Sequence, residues 1–289
     1  MEFSWILILT FLSSILVGRR IKVRPKTWIV SIIIISLVFT ISLWQGLSMT
    51  LGDAFKVFFI SLASSLIIIF STYSIGLIVS RKHDYKTVEK TKYFPTNIII
   101  SVIVGITLGI WLNNFNFPVS TLSELINIEL VTLISLIGIS ISRDFDFKKV
   151  VKGGSKGIKS TLIAIIGAII SSAIISISFD INMKASLAIT FGFGWYTLDG
   201  PLVTSAFSPL LGTIAFLANF FREQFTFILV PLLRGSQEAL ISIGGATTMD
   251  DTLVIYIKSF GQEESLAPIV NGFLLTILTP IIVPAIISL

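Results

Sequence analysis

The chain has 289 residues, of which 54% are hydrophobic and 13% charged, with 23 phenylalanines and a mean hydropathy of +0.94. That composition excludes a soluble globular domain and indicates an all-α polytopic membrane protein. A β-barrel is excluded as well, because the apolar residues come in runs of roughly 18 to 25 and not in short alternating segments.

The apolar runs are read in chain order. A first span covers Phe3 to Val17, kept as a span because Met1-Glu2-Phe3 lacks the basic start of a cleaved leader. Arg19, Arg20, Lys22, Arg24 and Lys26 follow, then a second span from Thr27 to Trp44 and a third from Val57 to Ser80. A second basic loop holds Arg81, Lys82, Lys86, Lys90 and Lys92, with His83 as a solvated loop residue. A fourth span runs from Thr96 to Leu112 and a fifth from Leu125 to Ser142, separated by a connection without Lys or Arg. The third basic loop carries Arg143, Lys148, Lys149, Lys152, Lys156 and Lys159 ahead of a sixth span, Thr161 to Phe179.

Sixteen of the 21 basic residues sit in these three alternate loops. Their alternation accounts for the net charge of +5 without any nucleic acid partner, and it places the loops on the cytoplasmic side with both termini outside. The expected location is the cytoplasmic membrane, with the lipid bilayer as the partner that the composition demands.

Beyond residue 180 the pattern breaks. Residues 185–207 contain Gly192, Gly194, Asp199, Gly200 and Pro201; Leu210 to Leu233 carries Asn219, Arg222 and Glu223; residues 238–257 are interrupted by Gly244-Gly245-Ala246-Thr247-Thr248-Met249-Asp250-Asp251; Leu266 to Leu289 closes the chain. The two broken segments either cross, giving ten transmembrane helices, or dip and return, giving eight. Residues 1–289 read as one membrane domain. Ser42-Leu43-Trp44-Gln45-Gly46-Leu47-Ser48 and Ser135-Leu136-Ile137-Gly138-Ile139-Ser140 echo each other, as inverted three-span repeats over 1–95 and 96–180 would, although chance gives such an echo equally well.

Carboxylates at membrane depth are costly unless paired, hydrated or neutralised, which singles out Glu124, Glu129, Asp199, Glu223, Asp250 and Asp251. Pro201 disfavours helix at Gly200, so an unwound stretch between half-helices is expected over 191–201, a common way to build a transport site. Trp195 and Tyr196 offer aromatic faces to an ammonium group or belong to an interfacial belt. Arg222 is read as structural charge compensation, and Glu223, turned about 100° from it, as facing a polar cavity. Asp250 and Asp251 bind a cation or proton, or cap the helix that follows, and Thr247 and Thr248 lie beside them. No cofactor, metal site or catalytic nucleophile is expected: there is no Cys, and no phosphate-binding loop or nucleophile elbow occurs.

Gly192-Phe193-Gly194-Trp195-Tyr196-Thr197-Leu198, Asn219 with Arg222-Glu223, and Gly244 to Asp250 together resemble the signature regions of the LysO-type lysine exporter family, over about residues 185–289. The resemblance implies a secondary exporter of L-lysine that exchanges it for protons, with intramembrane acids at Asp250, Glu223 and Glu124 or Glu129. Asp199 and Pro201 stand where that family carries Ser and an apolar residue, and Asp251 where it carries an aromatic. The added acids leave two alternatives: a carrier of another cationic amino acid or a diamine, or a cation-coupled carrier of a different substrate. A membrane-embedded enzyme is the remote third reading.

Overall fold

The computed structural model describes residues 2–21, 25–48, 51–80, 96–113, 119–144 and 154–289. Lys22, Arg24, the loop 81–95 with His83, and 145–153 with Lys148, Lys149 and Lys152 lie outside them. The described residues are helices joined by turns, with no strand among them, as the composition requires. In chain order they form α1 (Glu2–Ile21), α2 (Thr27–Ser48), α3 (Leu51–Val79), α4 (Thr96–Leu112), α5 (Val119–Asp144) and α6 (Gly154–Phe179). Then come two short helices, α7 (Met183–Phe191) and α8 (Tyr196–Ala206), the long α9 (Pro209–Leu229), α10 (Gln237–Gly244), a 3₁₀ turn (Gly245–Met249), α11 (Leu253–Phe260) and α12 (Leu266–Ser288). Five of these helices are long and apolar enough to cross a membrane by length and composition alone. Trp5, Leu9, Phe59, Ile78 and Ile177 are among the large apolar side chains left on the outside, where lipid replaces water.

Small residues let the helices approach closely. Gly46 of α2 meets Ile106 and Gly109 of α4, and Gly105 of α4 meets Ser42 and Phe39 of α2. In the same manner Gly138 of α5 meets Ser14 and Phe11 of α1, and Gly18 of α1 meets Ser142 and Ile139 of α5. A Cβ at any of these glycines would strike backbone or a neighbouring side chain, so the contacts depend on its absence. The pairing is reciprocal: α1 lies on α5 as α4 lies on α2. Leu7, Phe11, Leu37, Ile41, Ile126, Leu130, Leu133 and Ile134 fill the space between α1, α2 and α5.

Both broken segments return to the face they start from, so among the described residues eight helices of 17 to 29 residues are accompanied by two re-entrant hairpins, and the ten-helix alternative is set aside. For the second hairpin, Lys156 at the start of α6 reaches Gln237 Oε1 at 2.7 Å and Glu264 Oε2 at 2.7 Å. One side chain thus holds the beginning of α10 and the residues just before α12 together. The Tyr256 hydroxyl of α11 donates to the Leu240 carbonyl of α10 at 3.0 Å. Sixteen residues of continuous helix would separate those two by about 24 Å along the axis, so the chain has doubled back. For the first hairpin, Phe179–Asn182 before α7 and Ser208, Leu210 and Leu211 after α8 line one depression beside Asp53 and Lys56 at the start of α3. The two hairpins therefore enter from opposite faces, with α9 running between them and α12 following.

Each turn has a local cause. Asn182 caps α7 through the Lys184 N–H at 2.8 Å. Ser208 accepts from the Leu211 N–H ahead of Pro209, which suits a first helical position. Ser236 caps α10 through Ala239 N–H at 3.0 Å. The break in the first hairpin falls at Gly192–Trp195, earlier than the sequence suggested. Gly200 and Pro201 are helical, with Pro201 inside α8 at the cost of one intrahelical N–H bond.

Candidate functional site

The two hairpin tips meet. Ala246 N–H donates to the Phe193 carbonyl at 2.8 Å, across the interface between the turn after α7 and the turn after α10. Both turns use left-handed backbone: φ is 49° at Phe193, 88° at Gly194 and 65° at Gly245. Phe193 is a bulky residue in that region and is fully buried, a conformation that persists only where the surroundings impose it. A Cβ at Gly245 would run into the Phe193 carbonyl, so glycine is required there by space as well as by φ.

Two asparagines hold the tips, one per hairpin. Asn219 of α9 accepts the Gly194 N–H at 2.7 Å and donates to the Ile189 carbonyl at 2.9 Å and to Asp199 Oδ2 at 2.8 Å. It binds both arms of the first hairpin to α9. Asn271 of α12 donates to the Gly245 carbonyl at 2.9 Å and to Thr248 Oγ1 at 3.0 Å, and Thr248 itself donates to the Pro268 carbonyl at 2.8 Å. Those bonds fasten the second hairpin to α12.

Arg222 is fully buried on α9. Its Nε donates to the Ile243 carbonyl at 2.7 Å and its Nη2 to the Ser242 carbonyl at 3.0 Å. A guanidinium there satisfies the orphan carbonyls at the C-terminal end of α10 and opposes the negative end of its dipole. The expected structural role thus takes a specific form: Arg222 compensates a helix end.

Around the tips lies a cavity of about 440 Å³, within the roughly 300–1,000 Å³ typical of small-molecule sites. The first hairpin contributes Gly194, Trp195, Tyr196 and Thr197, the second Ala246, Thr247, Met249, Asp250 and Asp251, α9 Glu223 and α12 Thr276. Val30, Ser31 and Ile34 from the first turns of α2, with Ile137 and Ser140 near the end of α5, complete it. Those ends of α2 and α5 adjoin the loops that carry the basic residues, so the cavity extends from the tips toward that face.

Its charged lining is acidic. Asp250 and Asp251 are exposed to it. Glu223 is buried, with the Tyr196 hydroxyl in reach, the Gln224 amide donating to Oε1 at 3.3 Å, and no partner for Oε2 among the described residues. No basic side chain is among the described residues that line it. The Tyr196 ring is set edge-on to Phe216 and Phe220, with centroids at 5.3 and 5.5 Å, which fixes where its hydroxyl points. Thr247 donates to the Gly244 carbonyl at 2.9 Å and lies 3.2 Å from the Thr252 hydroxyl. Asp250 Oδ1 accepts the Asp251 N–H at 2.7 Å, while Thr252, the residue before α11, makes no side-chain cap.

Of the ten residues singled out by sequence, six line this cavity: Trp195, Tyr196, Glu223, Thr247, Asp250 and Asp251. Four do not. Asp199 is fully buried against Asn219 on the far side of the break. Thr248 faces α12. Glu129 sits in the α2–α5 seam, accepting from Ser36 and Thr40, and Glu124 is exposed on α5. The sequence places Ser140 only in the echo of span five and singles out none of Ser31, Thr276 and Asn271. A lone Asn in the apolar run of α12 was the available signal for the last.

The profile of the family described as Lysine exporter LysO matches residues 99–287. The Escherichia coli K12 protein named Lysine exporter LysO is 27% identical over 305 aligned positions, covering 97% of this chain and 98% of the relative. A Haemophilus influenzae protein provisionally named as a lysine exporter is 33% identical over 192 positions, covering 64% of this chain and 94% of the relative.

Proposed function

The chain belongs to the lysine exporter LysO family, a family of transporters and not of enzymes, and on that premise we propose that it is a secondary transporter that exports L-lysine across the cytoplasmic membrane by proton antiport. The observation that carries the reading is the convergence of Glu223, Asp250, Asp251 and the start of α8 on one cavity whose charged lining, among the described residues, is acidic.

Lysine brings two ammonium groups and one carboxylate. The ammonium groups take Glu223, Asp250 and Asp251, and the Trp195 ring offers a cation-π face. The carboxylate takes the first N–H groups of α8, at Tyr196 and Thr197, where the helix end is positive. Exchange follows from the acids. A carboxylate that binds a proton has no charge to offer an ammonium, so proton entry and lysine release occur at the same groups. Export of a cation against an inside-negative potential costs about 2.3 kcal/mol per charge per 100 mV, which proton influx offsets.

The cavity in this conformation faces the basic loops, hence the cytoplasm, with both termini outside. Alternation to the other face is assigned to the halves 1–95 and 96–180 as inverted repeats, a reading supported by the reciprocal packing of α1 on α5 and α4 on α2 and by the matching places of Gly46 and Gly138.

Counterflow tests the substrate. Proteoliposomes loaded with unlabelled lysine should accumulate labelled lysine, and Glu223→Gln protein should lose most of that uptake. Equal uptake by empty and protein-bearing vesicles would end the proposal.

A further inference from the structure

The established family role concerns an amino acid, yet no cationic side chain that would take a carboxylate is among the described residues that line the cavity. Its charged lining consists of Glu223, Asp250 and Asp251. Arg222 gives its Nε and Nη2 to the carbonyls of Ile243 and Ser242; its Nη1 is buried without a partner among the described residues, and the residue is absent from the lining. Among the described residues, an amino-acid carboxylate in this space finds the start of α8, an eleven-residue helix, and three acidic side chains. Each ammonium group, by contrast, meets acceptors: Glu223 Oε2 is buried and without a partner among the described residues, and Asp250 and Asp251 present accessible carboxylates from the second hairpin.

We infer that linear α,ω-diamines are a second substrate class of this cavity. The inference rests on the transport reading given above, since it assigns a further cargo to the same groups. A site discriminates strongly against an analogue that lacks a polar group only when a buried partner is thereby left unpaired. Here removal of the substrate carboxylate leaves no cationic side chain unpaired among the described residues, only the first N–H groups of α8, which water satisfies. Removal of the distal ammonium does leave carboxylates without a counter-charge. The selectivity expected is therefore for two ammonium groups on a flexible apolar chain, with Trp195 and Met249 beside the methylenes.

The test uses the purified full-length protein in proteoliposomes loaded with lysine, and three probes: lysine, 1,5-diaminopentane (lysine without its carboxylate) and 2-aminohexanoic acid (lysine without its distal ammonium). The expected result is that labelled 1,5-diaminopentane is taken up in counterflow. It should also half-inhibit lysine uptake within about tenfold of the lysine concentration that does so, while 2-aminohexanoic acid needs at least about 100-fold more. Lysine exchange with neither uptake nor competition by the diamine at 100-fold excess overturns this inference and leaves the lysine reading standing. Diamine exchange without lysine exchange supports the inference and overturns lysine as cargo. Exchange of neither overturns both.

Discussion

Phe193 and Ala246 are joined by one backbone hydrogen bond, Ala246 N–H to the Phe193 carbonyl at 2.8 Å, and through it two hairpins that enter from opposite faces touch at their tips. Phe193 is held at φ 49° with its side chain fully buried, so the carbonyl has one direction. Everything that lines the cavity from the hairpins is placed relative to this contact.

Gly245→Ala should break that contact. The added Cβ meets the Phe193 carbonyl, and φ 65° is unfavourable for alanine. A cost of about 1–3 kcal/mol is expected, read as a lowered midpoint of thermal unfolding in detergent together with loss of lysine counterflow. Gly261→Ala is the control: φ is 95° there too, but nothing lies within 4 Å of the added Cβ, so unfolding shifts and transport persists.

Asp199 and Asp250 should separate in their effects. Asp199 is sealed against Asn219 and outside the cavity, and Asp199→Asn keeps an acceptor for that bond while removing a buried titratable group. Counterflow within about twofold of the parent and an unfolding midpoint equal or higher are expected. Asp250→Asn removes a lining charge and should lower counterflow at least about tenfold with little change in unfolding.

Asn219→Ala and Asn271→Ala should each destabilise by about 1–3 kcal/mol for every buried partner left unsatisfied. Those partners are Gly194 N–H, the Ile189 carbonyl and Asp199 in the first case, and the Gly245 carbonyl and Thr248 in the second. Thermal unfolding measures this, with Asn219→Ala expected to show the larger loss because it frees both a carboxylate and an N–H.

Much of this architecture is legible in the sequence. The basic loops and six apolar runs correspond to α1–α6, and the glycine-rich breaks mark both tips. Whether a broken segment crosses or returns is not local information. It is set by Lys156 bridging Gln237 and Glu264, residues 81 and 108 positions away. Asp199 looked like a site residue because intramembrane acids are costly. Its side chain is turned from the cavity by an asparagine twenty positions on, which sequence spacing could not show. Thr247 and Thr248 are neighbours with opposite duties, since successive residues point to different sides of the tip.

The chain has no cysteine, so single substitutions report access cleanly. Ser140→Cys lies in the cavity lining near the basic-loop end of α5. It should react with a membrane-impermeant maleimide added from the cytoplasmic side of oriented vesicles and not from the other, and bound lysine should slow the reaction.

The most direct measurement is efflux of labelled lysine from proteoliposomes under an imposed pH gradient. With acid outside, the parent protein should release lysine faster than without a gradient, and Glu223→Gln and Asp250→Asn proteins should each lose that acceleration. Efflux from both variants that keeps the parent's rate and its response to the gradient would contradict carboxylate-mediated proton exchange in this cavity.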